Sequence, residues 1–243
     1  MIVLIITAVR VKSMDSHRIS GRILAENIAG PGMLRLVEQS MQSRAQKTSV
    51  TEIAVKERKY PQAALTFDDG PDIRYTPLLL DGLKERNIRV SFFLLGEKVE
   101  QYPELVERMQ KEGHLVGNHT YHHVQLNKLN ETKAREEILK TNNLIYETTG
   151  VYPLYLRPPF GAWKKNLELC VEMLPVFWTI DTLDWKVQNT EKIVRTVQEQ
   201  IEDGAIILMH DEYDTSVEAA LQVADDLKAQ GYQLVTVDQL ILP

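Results

Sequence analysis

The 243-residue sequence contains very little cysteine, and none of its apolar runs is long enough to cross a membrane. Its one cysteine, Cys170, excludes an intrachain disulfide. With 44% hydrophobic and 26% charged residues, the composition excludes a disordered chain, a collagen or a coiled coil as a description of the whole. A chain of this length buries roughly 70–75% of its unfolded surface, so it folds without disulfides or a structural metal. We expect one large domain, or one domain with a short extension.

The main part of the chain also lacks basic charge. The net charge is −6, but residues 1–59 carry +5 and residues 60–243 carry −11. An acidic main part excludes a nucleic-acid-binding protein, which would carry a basic stripe. The basic first segment is either a solvated linker, which we favour, or a weak contact for an anionic membrane or cell-wall surface. No feature indicates a stable protein partner.

The first nine residues are apolar, but about 18 are needed to span a bilayer. Nine residues match the apolar core of a signal peptide. No basic residue precedes this core, however, and Arg10 and Lys12 follow it, a charge order that would hold the next domain inside the cell. Either further residues precede Met1, or the segment is a β-branched strand of the fold.

The hydrophobic pattern divides the chain near residue 60. Before it, we predict a helix at 33–46 and a strand at 50–56, within an N-terminal extension of residues 1–59. After it, short apolar runs alternate with amphipathic patterns across a domain of residues 60–243. The predicted strands are 63–67, 90–95, 175–180, 205–209 and 233–237, and two further short apolar runs lie at 115–116 and at 155–156, the second of which leads into a loop. The predicted helices are 76–86, 103–112, 132–149, 166–173, 191–201 and 216–229.

About seven strands that alternate with helices predict a parallel sheet with helices outside it. This pattern leaves two closures open, a barrel and an open doubly wound sheet. No glycine-rich phosphate loop follows a strand, so a dinucleotide-binding fold has no support.

Polar residues cluster where several of these strands end. Asp68 and Asp69 directly follow the first strand, where two unpaired carboxylates are costly, although Asp-Gly-Pro is also a good turn sequence. Three of the six histidines lie between residues 119 and 123. In a helical turn, His119 and His123 would lie on one face within reach of one metal ion, and His122 would be rotated about 100° from His123.

Three more clusters follow later strands, each with an ordinary structural explanation when taken alone. The segment 157–161 (RPPFG) reads as a rigid loop, and 181–185 (DTLDW) as a capped helix start with a packed tryptophan. His210 ends an apolar strand, where a lone histidine is usually structural. In a barrel, however, all five clusters would meet at the carboxyl ends of the strands, where active sites lie.

The five clusters together carry a specific chemistry. Two histidines and one aspartate form a three-ligand set that leaves a metal position open, as catalytic rather than structural sites do. A water activated by the metal needs a base, which the neighbouring aspartate supplies. A collapsing tetrahedral intermediate needs an acid, which His210 supplies. This combination predicts metal-assisted acyl hydrolysis.

The same five clusters, in the same order, resemble the motifs of the polysaccharide deacetylases, the NodB-homology enzymes of carbohydrate esterase family 4. The resemblance covers about residues 60–243 and implies a distorted (β/α) barrel, commonly of seven parallel strands. It also implies one divalent metal ion, usually Zn²⁺, although Co²⁺, Mn²⁺ or Ni²⁺ also suit such ligands.

Site roles follow from the resemblance. Asp69, His119 and His123 would bind the metal, Asp68 would be the base and His210 the acid.

Five further residues would support these. Arg157 would orient Asp68, and Asp184 would tune His210. Trp185 and Leu208 would wall the pocket for the acetyl methyl group. The backbone N–H of Phe160 would help to stabilise the oxyanion, and phenylalanine stands there where many members have tyrosine.

The resemblance implies removal of N-acetyl groups from amino sugars of peptidoglycan, chitin or a related glycan, and hence a location outside the cytoplasm. One alternative is a cytoplasmic enzyme of the same superfamily that hydrolyses a small N-formyl or cyclic-imide substrate. A second is a non-catalytic glycan-recognition module, which predicts loss of Asp68 or His210, and both are present.

Overall fold

The computed structural model describes residues 59–163 and 173–241. The predicted helix at 33–46, the predicted strand at 50–56 and, except for its last residue, the predicted helix at 166–173 lie outside the described residues.

Within residues 59–163 and 173–241, eight short strands form one sheet, and every pair of neighbouring strands is parallel. They are β1 (Gln62–Asp68), β2 (Ser91–Leu94), β3 (Leu115–Asn118), β4 (Tyr155–Leu156), β5 (Leu174–Pro175), β6 (Ile180–Asp181), β7 (Ala205–His210) and β8 (Gln233–Leu234). Their order is β5-β4-β3-β2-β1-β7-β6, and β8 pairs with β1. This curled sheet with helices around it is a distorted (β/α) barrel, which confirms the predicted fold class.

The predicted strand at 175–180 is wrong, because the chain changes partners within it. Leu174 and Pro175 pair with β4, at one end of the strand order, whereas Ile180 and Asp181 pair with β7, near the other end. One apolar stretch therefore supplies two short strands, and this raises the count from seven to eight.

The predicted strand at 233–237 is also too long. Val237 begins a helix, and its backbone N–H donates to Ser91 Oγ at 2.9 Å. The apolar residues that extended the predicted strand beyond β8 include Val237, which is buried in a cluster with Ala64 and Phe93. Val237 is therefore apolar because it is buried, although it is not in a strand.

The helices flank the strands, and the described residues contain none that is long and apolar enough to span a membrane. They are α1 (Thr76–Glu85), α2 (Gly96–Gln101), α3 (Pro103–Lys111), α4 (Glu131–Thr149), α5 (Asp184–Val187), α6 (Thr190–Gln200), α7 (Asp214–Ala229) and α8 (Val237–Ile241). The short helices α2, α5 and α8 were not expected. The ends of α4 show how local sequence sets a boundary: Asn130 accepts a hydrogen bond from Lys133 N, and Gly150 adopts a left-handed φ of 73°.

The two faces of β1 have different surroundings, as the period of two in a strand requires. Ala63, Leu65 and Phe67 belong to the large core cluster that includes apolar residues of α1 and α7. The alternate residues Thr66 and Asp68 lie on the opposite face. In β7, Leu208 and His210 are the Cα partners of these two residues. The alternation thus brings an aspartate and a histidine together at the carboxyl ends of two central strands.

Candidate active site

The two histidines expected to bind metal are not in a helix, so the predicted helical turn at residues 119–123 is wrong. These residues form an irregular loop after β3, in which Thr120 and His123 have left-handed φ angles of 66° and 54°. The rings of His119 and His123 still meet, with centroids 5.1 Å apart. His122 Nδ1 instead lies 2.8 Å from Glu137 Oε1, so its ring takes no part in the cluster.

The three side chains predicted as metal ligands converge on one point. Asp69 Oδ1 lies 3.3 Å from His119 Nε2 and 3.4 Å from His123 Nε2, and one ligand atom from each residue lies within 4.8 Å of the others. The Nδ1–H of His119 donates to the backbone carbonyl of Arg157 at 2.6 Å, which leaves Nε2 for a ligand. Asp69 Oδ1 is buried, and no described residue hydrogen-bonds to it. This donor set fits a divalent cation with an open position.

The charge states of these groups also suit a cation. Burial raises the pKa of Asp69, but the contact with His119 and the charges of His119, His123 and His210 outweigh it and hold the pKa well below its usual range. Burial lowers the pKa of His123, which favours the neutral ring that a metal needs.

Asp68 is held by a different partner. Arg157 Nη1 donates to Asp68 Oδ1 at 2.8 Å and to Thr66 Oγ1 at 2.7 Å. The Arg157 side chain is fully buried, and its guanidinium lies over the Phe93 ring, 4.2 Å from the centroid. Because one carboxylate oxygen is fixed in this way, the other, Oδ2, faces His119 Nε2 at 3.7 Å. Asp68 and Asp69 are therefore adjacent in sequence but oriented by separate contacts.

His210 and Asp184 form the second polar pair. His210 Nδ1–H donates to Asp184 Oδ1 at 2.7 Å, and the backbone N–H of His210 donates to Asp184 Oδ2 at 2.7 Å. Ser216 Oγ donates to Asp184 Oδ2 at 2.7 Å. Burial lowers the pKa of His210, but the hydrogen bond and charge of Asp184 raise it more, with help from Asp68 and Asp69, to about 9. The pairing with Asp184 therefore favours the protonated form of the ring.

These groups line one pocket of about 430 Å³. Its lining includes all the predicted site residues except Arg157 and Asp184. These two side chains are fully buried and contact Asp68 and His210, respectively. Phe160, with a left-handed φ of 59°, lies at the pocket with its ring against His123, the centroids 4.5 Å apart. Phe160 is 62% exposed and Trp185 is 49% exposed.

Sequence reasoning missed several residues around the site. Glu212 and Tyr213 line the pocket just after His210, and Trp178 lines it just before β6. Nothing in their sequence context marks them beyond this proximity to a motif. Thr66 and Ser216 each support a site residue by one hydrogen bond, but a threonine within a strand and a serine near a helix start have common structural explanations.

The chain is similar to a known protein family and to several known proteins. The sequence model described as "Polysaccharide deacetylase" matches residues 56–176. The peptidoglycan-N-acetylglucosamine deacetylase PgdA of Listeria monocytogenes is 40% identical over 185 residues, which cover 76% of this chain and 40% of that protein. The peptidoglycan-N-acetylmuramic acid deacetylase PdaC of Bacillus subtilis is 44% identical over 177 residues, 73% of this chain and 38% of that protein.

The chain therefore spans about two fifths of the length of these two relatives. A solved structure of the peptidoglycan deacetylase PdaC from Bacillus subtilis superimposes with a TM-score of 0.73 at 42% identity. That match covers 75% of this chain and 90% of the solved one.

Proposed function

Because the chain belongs to the polysaccharide deacetylase family, we propose that it removes N-acetyl groups from the amino sugars of a glycan, with peptidoglycan as the first candidate and chitin oligosaccharides as the second. The observation that carries the proposal is the meeting, in one pocket, of a three-ligand cluster with a carboxylate oriented by Arg157 and a histidine paired with Asp184. The two relatives compared above are peptidoglycan deacetylases by name, which supports the choice of glycan.

Asp69, His119 and His123 would hold one divalent ion, with Zn²⁺ favoured and Co²⁺, Mn²⁺ or Ni²⁺ also suited to these donors. When bound, such an ion polarises a carbonyl oxygen and lowers the pKa of a water. The hydrogen bond from His119 Nδ1–H to the Arg157 carbonyl leaves Nε2 as the ring nitrogen that can bind the ion.

Asp68 is the proposed base. Its Oδ1 is occupied by Arg157, so Oδ2 accepts the proton of the water that attacks the acetyl carbonyl carbon. The buried guanidinium prevents the carboxylate from rotating, so the basic oxygen stays directed at the site. Positioned general base catalysis contributes typically ~10²–10⁴-fold in rate.

His210 is the proposed acid. Asp184 holds its Nδ1–H, which leaves the Nε2 proton for the nitrogen of the leaving amino sugar as the C–N bond breaks. The products are acetate and a free amine. Because Asp68 gains one proton and His210 loses one, proton exchange with solvent restores both groups for the next turnover.

The pocket walls would position the N-acetyl group. Trp185 and Leu208 offer an apolar surface to the methyl group, and the backbone N–H of Phe160 would donate to the oxyanion. The exposed rings of Phe160 and Trp185 leave the pocket open at its rim, so a sugar within a longer chain could enter. Because envelope glycans lie outside the membrane, the proposal includes an extracytoplasmic location. No observation favours a small N-formyl or cyclic-imide substrate.

The direct test is incubation of the purified protein with peptidoglycan fragments and with chitin oligosaccharides, followed by mass spectrometry. We expect loss of acetyl groups from at least one glycan, with the sugar identified by fragmentation. The Asp68→Asn variant is the matched control and should remove acetyl groups about 10²–10⁴-fold more slowly. Hydrolysis of small N-formyl amides or cyclic imides, with no acetyl lost from any glycan, would contradict the proposal.

A further inference from the structure

Glu137 of α4 contacts the loop that carries both histidine ligands, although it does not line the pocket. Its Oε2 accepts hydrogen bonds from the backbone N–H groups of Tyr121 at 3.1 Å and His122 at 2.9 Å. Its Oε1 lies 2.8 Å from His122 Nδ1. The Glu137 side chain is only 15% exposed, whereas that of His122 is 58% exposed. One carboxylate of a neighbouring helix therefore holds three polar groups from the middle of this loop.

The loop needs such support because its backbone is strained. Thr120 and His123 lie in the left-handed region, which costs free energy in residues other than glycine and persists only where surrounding contacts enforce it. From the side of α2, Gly96 N–H donates to the Thr120 carbonyl at 2.9 Å, and Glu97 N–H donates to the Tyr121 carbonyl at 3.3 Å. These contacts bind the carbonyl groups of Thr120 and Tyr121, and Glu137 of α4 binds the N–H groups of Tyr121 and His122.

We propose that Glu137 is a positioning residue for the metal site. By fixing the backbone at Tyr121 and His122, it sets the direction in which the chain reaches His123, so that His123 Nε2 faces Asp69 Oδ1. The inference rests on the metal-dependent function proposed above. It also explains why the two histidines share a site without the helical geometry that their spacing suggests.

The contacts predict a graded response to substitution. Both backbone N–H groups donate to a single oxygen, Oε2, so the one carbonyl oxygen of a glutamine can replace it. Glu137→Gln should therefore keep most of the metal affinity. Glu137→Ala removes all three contacts, and Glu137→Asp shortens the side chain so that its carboxylate no longer reaches the loop. Glu136 is the matched control, since it is the adjacent glutamate of α4 and is exposed.

The test measures metal binding rather than turnover. Each purified full-length variant is stripped of metal and titrated with Zn²⁺ against a chromophoric chelator, and Co²⁺ spectra report ligand geometry. We expect Glu137→Ala and Glu137→Asp to bind Zn²⁺ about 10–100-fold more weakly, because loss of a residue that orients a ligand typically reduces metal affinity by this factor. The Co²⁺ absorption band of both variants should also change. Glu136→Ala should match the wild type, and excess Zn²⁺ should restore activity to Glu137→Ala.

Unchanged Zn²⁺ affinity and Co²⁺ spectra in Glu137→Ala, with a wild type that binds metal, would overturn this proposal and leave the proposed function intact. If Glu137→Ala does not fold, Glu137→Asp decides: wild-type affinity in that variant overturns the proposal. A folded wild type that binds no divalent ion would instead contradict the proposed function itself.

Discussion

At the scale of single residues, the partners of Asp68 and Asp69 separate two roles that sequence adjacency leaves undivided. Asp68 accepts a hydrogen bond from the buried Arg157, whereas Asp69 faces two imidazole nitrogens. Asp69 directly follows β1 and has a φ of 70°. A left-handed φ is rare outside glycine, and at a ligand position it indicates strain that the site itself requires. Replacing either carboxylate with an amide should therefore have different consequences.

We expect Asp68→Asn to keep its metal and its fold but to lose about 10²–10⁴-fold in turnover, because only the proton acceptor is removed. Asp69→Asn should weaken metal affinity first, so excess metal should partly restore its activity. Bound metal and turnover are measured side by side for both variants. If Asp68→Asn loses its metal and Asp69→Asn keeps it, the two roles must be exchanged.

The pair formed by His210 and Asp184 predicts the alkaline limb of the pH–rate profile. An acid catalyst works while protonated, so activity should fall as pH rises through the pKa of His210, which Asp184 holds above the usual value for histidine. Asp184 is the main group that raises this pKa, against the lowering effect of burial. Asp184→Asn should therefore move the alkaline limb to lower pH as well as reduce the rate. An alkaline limb at the same pH in both proteins would show that another group sets it.

At the scale of elements, the strands could be predicted more fully than the loops. The apolar runs predicted β1 and β7 to within one residue, and the period of two then places Thr66, Asp68, Leu208 and His210 on one face. The apolar stretch at 175–180 predicted a single strand. The change of pairing partner from β4 to β7 within this stretch could not be predicted, because apolar residues occur throughout it.

The backbone conformation of the loop at 119–123 could not be predicted from the sequence. A spacing of four residues predicts a shared helical face, but here two left-handed residues and contacts from α2 and Glu137 bring the rings together. Those contacts come from residues distant in sequence, so no local pattern contains them. The clustering of the ligand set could be predicted from its residue types, whereas the backbone that achieves it could not.

His122 provides a test of this loop geometry. Its ring pairs with Glu137 and is more than half exposed, so His122→Ala removes one contact but leaves both backbone hydrogen bonds to Glu137 in place. We expect this variant to keep one metal ion per chain and most of its turnover, whereas His123→Ala should lose the metal. Metal content and activity of the two alanine variants decide the matter. An emptied site in His122→Ala alone would mean that the ligand has been assigned to the wrong histidine.

At the scale of the whole molecule, one buried acid that the mechanism does not use should affect stability. Asp211 is fully buried, accepts a hydrogen bond from Thr76 Oγ, and packs against the backbone of Gly70 so closely that no Cβ would fit there. No described residue hydrogen-bonds to its Oδ1. Burial is the main cause that raises the pKa of Asp211 from 3.8 to about 7. The folded protein therefore holds this proton more tightly than the unfolded chain does.

The stability that this proton contributes is fully present below about pH 4 and is lost as pH rises through about 7. Asp211→Asn cannot ionise, so its free energy of unfolding relative to the wild type should increase from pH 4 to pH 7 and then level off. Urea denaturation of both proteins across this range measures the difference. A constant difference at every pH would show that Asp211 does not titrate differently in the folded and unfolded states.

The proposed function requires a single divalent ion, held at one end of the parallel barrel by Asp69, His119 and His123. The most direct measurement is acetate release from purified peptidoglycan by protein stripped of metal and then titrated with Zn²⁺. We expect no release from the stripped protein and full recovery at about one ion per chain, because three ligands define one open site. Undiminished acetate release from metal-free protein would contradict the account.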